Sequence, residues 1–287
     1  MKAAVWQDYS VIATGNGYKL ERWGSVTLLR PDPQVIWPSS FELSEYPSLA
    51  AKYIRSETGG GKWKVLGDMP EEWTVSYRDL RFKVKPMGFK HTGLFPEQAV
   101  NWDLMRELIT SAGREINVLN LFAYTGGATV ACAKTGASVC HVDSAKAMVE
   151  RAGENVRLSG IENPKVRYIV DDCKKFVERE IRRGRKYDAV IMDPPSYGRG
   201  PGGETWKLET ELFPLVTLCE KVLSDNPLFF LINSYTTGLQ PQVMKNILEK
   251  AIAYGRGGKT DAYEVGLITE EKGLILPCGN SGIWING

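Results

Sequence analysis

Residues 118–137 read VLNLFAYTGGATVACAKTGA, and the fold follows from them. An apolar run, Val118 to Leu121, gives way to the small residues Gly126-Gly127 and then to helical spacing. Small residues where a strand turns into a helix let a ligand approach the backbone, and the first helical amides favour polar or anionic groups. The glycines do not name that ligand. A dinucleotide fingerprint needs G-x-G-x-x-G, whereas this turn has only the pair. A phosphate loop of the Walker type fails too, because Gly61-Lys62 is followed by Trp63. A close-packed strand–helix turn with no ligand stays open at this point.

Working outward, strands are expected at 116–121, 138–142, 166–170, 187–192 and 228–233. Helices are expected at 96–112, 127–135, 144–158, 173–183 and near 208–223 and 240–253. Such alternation makes a parallel sheet covered by helices on both faces. Ser144 is the expected N-cap of the third of these helices. The tail differs, since Tyr263–Thr269 and Ile275, then Ser281–Ile285, read as two strands with no helix between them and predict an antiparallel final hairpin. Upstream, five of the eight tryptophans fall in the first 73 residues among turn-rich clusters. From Trp73 the apolar positions alternate and change phase at Arg78-Asp79, as a tight hairpin requires. The chain therefore divides into a small β-rich module, residues 1–88, and an α/β domain, residues 89–287.

Three acidic strand ends carry chemistry. Asp143 stands 17 residues after Gly126, where a carboxylate accepts bonds from ribose hydroxyls or caps the next helix. Asp171-Asp172-Cys173 offers a carboxylate to an adenine amine, or an N-cap, or both. Tyr187 to Tyr197 reads YDAVIMDPPSY, an apolar strand ending in Asp193-Pro194-Pro195-Ser196-Tyr197. Neither proline has an N–H, so this stiff turn presents a carboxylate and free carbonyls to a planar substrate, with Tyr197 or Phe95 to stack on it. Three such elements at successive strand ends describe one adenosine-shaped ligand.

From His91 to about Leu239 the chain resembles class I S-adenosylmethionine-dependent methyltransferases. More narrowly it is similar to the branch acting on large-subunit ribosomal RNA, at carbon-5 of cytosine or nitrogen-7 of guanine. HTGLFPEQAVNWD from His91, NLFAYTGGATV from Asn120, HVDSAKAMVERAGEN from His141, DDCKKF from Asp171 and MDPPSYGRG from Met192 carry the likeness. GNGYKLERWGSVTLLRPDPQVIW, from Gly15, resembles an amino-terminal module of some members. The resemblance implies an α/β, Rossmann-like, seven-stranded class I methyltransferase domain behind a small N-terminal β-rich domain, with S-adenosyl-L-methionine as cofactor. Phe122, Ala123, Tyr124, Thr125, Gly126 and Gly127 would wrap the methionine part. Asp143, followed by Ser144, would hold the ribose, and Asp172, followed by Cys173, would meet the adenine. Thr92, Phe95 and Gln98 would close over the site, and Asp193 to Tyr197 would face the methyl group and substrate.

Methylating carbon-5 of cytosine requires a thiolate. Cytosine-specific members have Ser-Cys-Ser-Gly-Leu after the fifth strand, where this chain has Tyr235-Thr236-Thr237-Gly238-Leu239, and Ser196 rather than cysteine follows Asp-Pro-Pro. Cys132, Cys140 and Cys219 lie in apolar surroundings and read as core. Direct transfer to a nitrogen or oxygen lone pair is the expectation, with nitrogen of a ribosomal RNA base preferred. Rival readings are a methyltransferase for a small molecule or protein, and a non-catalytic RNA-binding protein on the same fold.

Thirty-six basic against thirty-four acidic residues leave +2, so no whole-chain field marks a nucleic-acid partner. Locally, residues 78–90 carry a net +4. Arg81, Lys83 and Lys85 on that hairpin, and Arg199 in the glycine-rich stretch after the Asp-Pro-Pro turn, are the expected RNA-phosphate contacts. That stretch, residues 198–203, reads as a mobile lid, and residues 255–259 as a second flexible basic loop. The five scattered cysteines and two histidines form no metal-ligand spacing, so no metal is expected. The longest apolar run is five residues and the first residues do not read as a signal peptide, which predicts a cytoplasmic protein with no membrane partner.

Overall fold

The computed structural model describes every residue except 57–59, 163 and 200–204, and the side chains of Phe89 and Arg199. It resolves into two compact units, Met1–Val100 with Gly266–Cys278, and Asn101–Val265 with Gly279–Gly287.

The first unit opens with β1 (Lys2–Ala4), then β2 (Tyr9–Gly15), β3 (Tyr18–Trp23), β4 (Val26–Pro31), β5 (Leu49–Arg55) and β6 (Gly61–Val65). The last five form a sheet in that order. The β2–β3 turn places Asn16 and Gly17 both at positive φ, 53° and 81°, which matches the twist of a two-residue hairpin. β4 and β5 run parallel, which needs the long connection 32–48. The expected hairpin is β7 (Trp73–Tyr77) and β8 (Leu80–Val84), turned at Arg78 with φ 51°. Val75, Tyr77, Leu80, Phe82 and Val84 are its buried face.

The boundary by compactness lies at 100/101 rather than at 88/89. Residues just after β8 bond to one another and to the start of the chain: Lys85 N to Thr92 O, 3.1 Å, Met87 N to His91 O, 2.8 Å, and Trp6 Nε1 to Pro96 O, 3.0 Å.

Within this sheet Glu21 is fully buried. Its carboxylate accepts from Arg30 Nε at 2.5 Å, Arg30 Nη2 at 2.7 Å and Tyr9 Oη at 2.7 Å. Burial alone would raise its pKa, but Arg30 and Lys19 outweigh burial and hold it down at about 2. The folded pKa is depressed, so this stabilisation is complete above the ordinary carboxylate pKa of 4.5 and is lost as pH falls toward 2. Glu21→Gln is expected to cost stability at neutral pH and to flatten the decline between pH 4.5 and 2, read by urea unfolding at stepped pH.

The second unit continues with α1 (Ala99–Ser111), β9 (Asn117–Leu121), α2 (Gly127–Ala133), β10 (Ser138–Asp143), α3 (Lys146–Leu158), β11 (Val166–Val170) and α4 (Cys173–Arg182). Then come β12 (Ala189–Met192), β13 (Tyr197–Arg199), β14 (Thr205–Lys207), α5 (Leu208–Glu220), β15 (Phe229–Ser234), α6 (Pro241–Leu248), α7 (Tyr254–Arg256), β16 (Lys259–Ile268) and β17 (Ile275–Ile285). The stretch 96–98 is a 3₁₀ turn before α1, and 249–253 is a π turn between α6 and α7. The sheet order is β16-β17-β15-β12-β9-β10-β11. β15, β12, β9, β10 and β11 are parallel, and β17 runs antiparallel to β15, as the tail predicted. These are the seven strands expected of the domain.

β15 explains the five-residue apolar run. Phe229, Phe230, Leu231 and Ile232 are all buried, because a central parallel strand is covered on both faces. Phe230 and Ile232 pack with Phe176, Leu212, Leu215, Val216 and Trp284. Asn101 Nδ2 donates to Asn233 Oδ1 and Ser281 Oγ, at 3.1 and 2.8 Å, and Tyr263 Oη donates to Asn101 Oδ1 at 2.7 Å. This satisfied buried network ties α1 to three strands. No helix among the described residues is long and apolar enough to cross a membrane.

Candidate functional site

β9 has β10 on one side and β12 on the other, so the chain leaves it in opposite directions. In such sheets the crevice beyond the carboxyl ends of the strands, where the order reverses, receives the ligand. The turns after β9, β10, β11, β12 and β15 all open at that edge.

The first turn, Phe122 to Gly126, is strained. Phe122 and Tyr124 hold positive φ, 54° and 50°, unusual for residues with bulky side chains. Four neighbours hold it there. Phe122 N donates to Cys173 Sγ at 3.3 Å, Ala123 N to Val142 O at 3.1 Å, and Tyr124 N to Asp143 Oδ2 at 2.8 Å, while Asn155 Nδ2 donates to the Thr125 carbonyl at 2.9 Å. Beneath it, Asn120 Nδ2 donates to Thr129 Oγ1 and Thr129 pairs with His141 Nδ1, each at 2.9 Å. Burial keeps His141 neutral by lowering its pKa to about 4, the Tyr124 backbone offsetting a part.

The glycines serve the packing of this turn. Gly126 takes φ 84°, and a Cβ there would sit 2.7 Å from the Ala152 Cβ. A Cβ on Gly127 would sit 2.7 Å from Trp102 Cζ2. Gly127→Ala is expected to destabilise the fold by about 1–3 kcal/mol through overpacking, and Gly126→Ala by more because strain adds to the clash. Thermal melts with and without S-adenosylhomocysteine measure both.

Asp143 accepts through both oxygens, Oδ2 from Tyr124 N and Oδ1 from Ala145 N at 2.9 Å. α3 begins at Lys146 with Ala145 as its N-cap, so Ser144, which is exposed, does not cap it. The carboxylate one residue earlier reaches the amide first. Each carboxylate oxygen keeps a lone pair for a hydroxyl. Asp172 does cap α4, accepting from Lys175 N at 2.8 Å, while Asp171 pairs with Arg179. The Cys173 thiol is buried under the Phe122 amide, and burial pushes its pKa up.

The two aspartates of YDAVIMDPPSY lie at opposite ends of β12. Asp188 takes Asn117 N, Ser224 Oγ and Arg114 Nη1, each at 2.9 Å, and anchors the strand's start. Asp193, half-buried, follows its end at the crevice. Pro194 is buried, and Pro195, Ser196 and Tyr197 are exposed. The turn's carbonyls are not all free, contrary to expectation. Pro195 O accepts from Trp206 Nε1 at 2.6 Å and Ser196 O from Leu208 N at 3.1 Å. The Trp206 ring also lies 5.6 Å from that of Phe122, so one side chain joins the first turn to the fourth. Ser196 Oγ and Thr236 Oγ1 stand 2.7 Å apart, which brings together the two positions singled out for lacking a thiol.

All five cysteines are free thiols. Burial raises the pKa of Cys132 to about 12 and of Cys140 to about 11, and pushes Cys219 and Cys278 up as well. No group of His, Cys, Asp and Glu among the described residues could hold a metal.

Thr92, Phe95 and Gln98 belong to the first unit, as do Arg81, Lys83 and Lys85. Thr92 and Gln98 are buried, and the Phe95 ring meets His91 edge-on at 5.5 Å. Arg81 and Lys83 lie on the outer face of β8, but Lys83 pairs with Glu72 at 2.8 Å. The backbone of Arg199 is in β13, while its side chain and most of the expected lid, 200–203, fall outside the described residues. The second basic loop is not free, since Arg256 donates to Glu220 Oε1 at 2.8 Å and Ser224 O at 3.1 Å. Trp206 had no motif to announce it, while Asn120, Thr129 and Asn155 lie inside the quoted motifs without having been singled out.

A parallel sheet of this order, with its strained first turn, a carboxylate after the second strand and Asp-Pro-Pro after the fourth, defines a class I methyltransferase. The chain belongs to the S-adenosylmethionine-dependent methyltransferase family, whose model matches residues 37–238, and S-adenosylmethionine is its cofactor. An S-adenosylmethionine-dependent methyltransferase of Agrobacterium tumefaciens shares 31% identity and superposes with a TM-score of 0.93 over 99% of this chain and 92% of its own. A methyltransferase structure holding S-adenosylhomocysteine shares 19% identity and the fold, with a TM-score of 0.72 over 98% of this chain and 76% of its own. The ribosomal RNA large subunit methyltransferase K/L of Shewanella frigidimarina is 28% identical over 225 residues, 77% of this chain. The match spans only 30% of that relative's length.

Proposed function

We propose that the protein transfers the methyl group of S-adenosylmethionine to a nitrogen of a ribosomal RNA base, directly and without a covalent enzyme adduct. One observation carries the non-covalent route. The hydroxyls of Ser196 and Thr236 face each other beside Asp193, where thiol chemistry would need a cysteine. No buried cysteine substitutes, because each is held protonated. The names of relatives such as the Shewanella protein support ribosomal RNA as substrate.

The cofactor's sulfonium supplies an electrophilic methyl and a good leaving group, so the chain contributes alignment, desolvation and electrostatics. The strained turn Phe122 to Gly127 presents backbone to the methionine portion. Asp143 holds the ribose hydroxyls with its remaining lone pairs, Ser144 lying next to it, and Asp172 with Cys173 borders the adenine. Asp193 orients the base edge and takes the proton released when a base N–H becomes N–CH₃. Pro194 and Pro195 stiffen that turn, and Ser196 and Tyr197 meet the base. Residues 1–88 serve RNA binding and 89–287 the transfer, with Arg81, Lys83, Lys85 and Arg199 as phosphate contacts, in the cytoplasm.

Purified protein and labelled cofactor, offered ribosomal RNA, are expected to label one nucleoside. Mass spectrometry of nucleosides from a deletion strain then names the atom. Label in a metabolite pool or a polypeptide, with ribosomal RNA unchanged, overturns the reading.

A further inference from the structure

The outer end of the first unit's sheet carries charge that nothing in the expected RNA contacts uses. In the β5–β6 register Lys52 stands opposite Lys64 and Ile54 opposite Lys62, so all four side chains share one face. Lys52 lies over the Tyr18 ring at 4.9 Å, and Tyr18 is on the same face two strands away. Lys62 and Lys64 are exposed, and neither has an acidic partner among the described residues. Among the described residues Glu42 is near enough for Lys52 to act on its carboxylate. Elsewhere in this unit Lys83 is neutralised by Glu72 and Lys19 by Asp32 at 3.3 Å.

Lysines on an edge strand discourage sheet-to-sheet pairing, and that would account for Lys62 and Lys64 on β6. It does not account for Lys52, which is on an inner strand with β4 and β6 to either side. Like charges directly opposite each other destabilise a strand pair. A polyanion lying across the face relieves that repulsion, and ammonium groups on flexible stems suit phosphate oxygens without regard to base sequence. An aromatic ring beside them is typical of nucleic-acid surfaces.

We propose that Lys52, Lys62 and Lys64, with Tyr18, form a contact surface for the RNA phosphate backbone. This deepens the ribosomal RNA reading and rests on it. The test uses the full chain and a labelled large-subunit ribosomal RNA fragment, with binding followed by anisotropy as salt is raised. The triple variant Lys52→Gln, Lys62→Gln, Lys64→Gln is expected to bind at least about tenfold more weakly at 0.1 M salt. Its slope of log affinity against log salt is expected to fall by about 1 for each lysine that contacts a phosphate. Arginine at all three positions should restore wild-type binding, and affinity for S-adenosylhomocysteine should not change in either variant. An unchanged slope in the glutamine variant overturns the proposal, and so does an equal loss in the arginine variant. Wild-type protein that neither binds nor methylates the RNA overturns the functional reading itself, whereas wild-type binding with an unaffected glutamine variant overturns only the lysine surface.

Discussion

Asp193→Ala is expected to lower turnover by about 10²–10⁴-fold on the true substrate, the usual range for losing a positioned acid–base group. Asp193 follows β12 at the point where the sheet order reverses, and the buried Pro194 leaves the backbone little freedom to redirect it. Cofactor affinity should change little, because the bonds holding the Phe122–Gly126 turn come from Cys173, Val142, Asp143 and Asn155. Asp193→Asn separates two roles. If the carboxylate mainly orients the base, the amide retains much of the rate. If it takes the proton, Asn falls with Ala and the pH profile loses its acid limb. Normal turnover in Asp193→Ala would place the chemistry elsewhere.

Asp143→Ala is expected to weaken binding of S-adenosylhomocysteine by at least about 100-fold, measured by calorimetry. Its carboxylate does two jobs. It holds Tyr124 in a left-handed conformation through the Tyr124 amide and it caps the entry to α3 through Ala145. Hydrogen bonds to a charged group contribute about 1.5–3 kcal/mol each, so losing both, and the lone pairs meant for the ribose, exceeds two decades of affinity. Asp143→Asn keeps one acceptor and sets an NH₂ against a backbone amide, so an intermediate loss is expected. Unaltered binding in Asp143→Ala would mean that the ribose is held elsewhere.

Much of the second unit was legible because buried parallel strands advertise themselves. Phe229–Ile232, set in an alternating pattern of strands and helices, read as a central strand, and acidic residues at strand ends pointed to one edge. Side-chain partners were not legible. Ser144 looked like a cap, but Asp143, already turned toward Tyr124, reaches the Ala145 amide instead. The carbonyls of the Asp-Pro-Pro turn looked free because proline donates nothing, yet acceptance is decided by what folds back, and Trp206 is eleven residues on. The Gly126-Gly127 pair read as room for a ligand, and in the directions a Cβ would take the neighbours Ala152 and Trp102 also require glycine there. In the first unit Glu21 looks ordinary among the charged residues of β3, and only the pairing of β3 with β4, which sets Arg30 opposite Lys19, brings that guanidinium diagonally within reach of Glu21. Net charge misled in the same way, because +2 averages over paired and unpaired lysines alike.

The first unit is not contiguous. Val11 bridges Thr269, Ser10 Oγ donates to Glu270, and Thr14 donates to Glu271 through both its amide and its hydroxyl. Residues 1–100 therefore meet their last partners only in 266–278. During synthesis at about 5–20 residues per second, the amino-terminal sheet waits on the order of ten to thirty seconds for that hairpin to leave the ribosome. The segment first made is thus among the last completed, and a nascent chain paused before Gly266 would expose the β2 flank to chaperones and proteases throughout the pause.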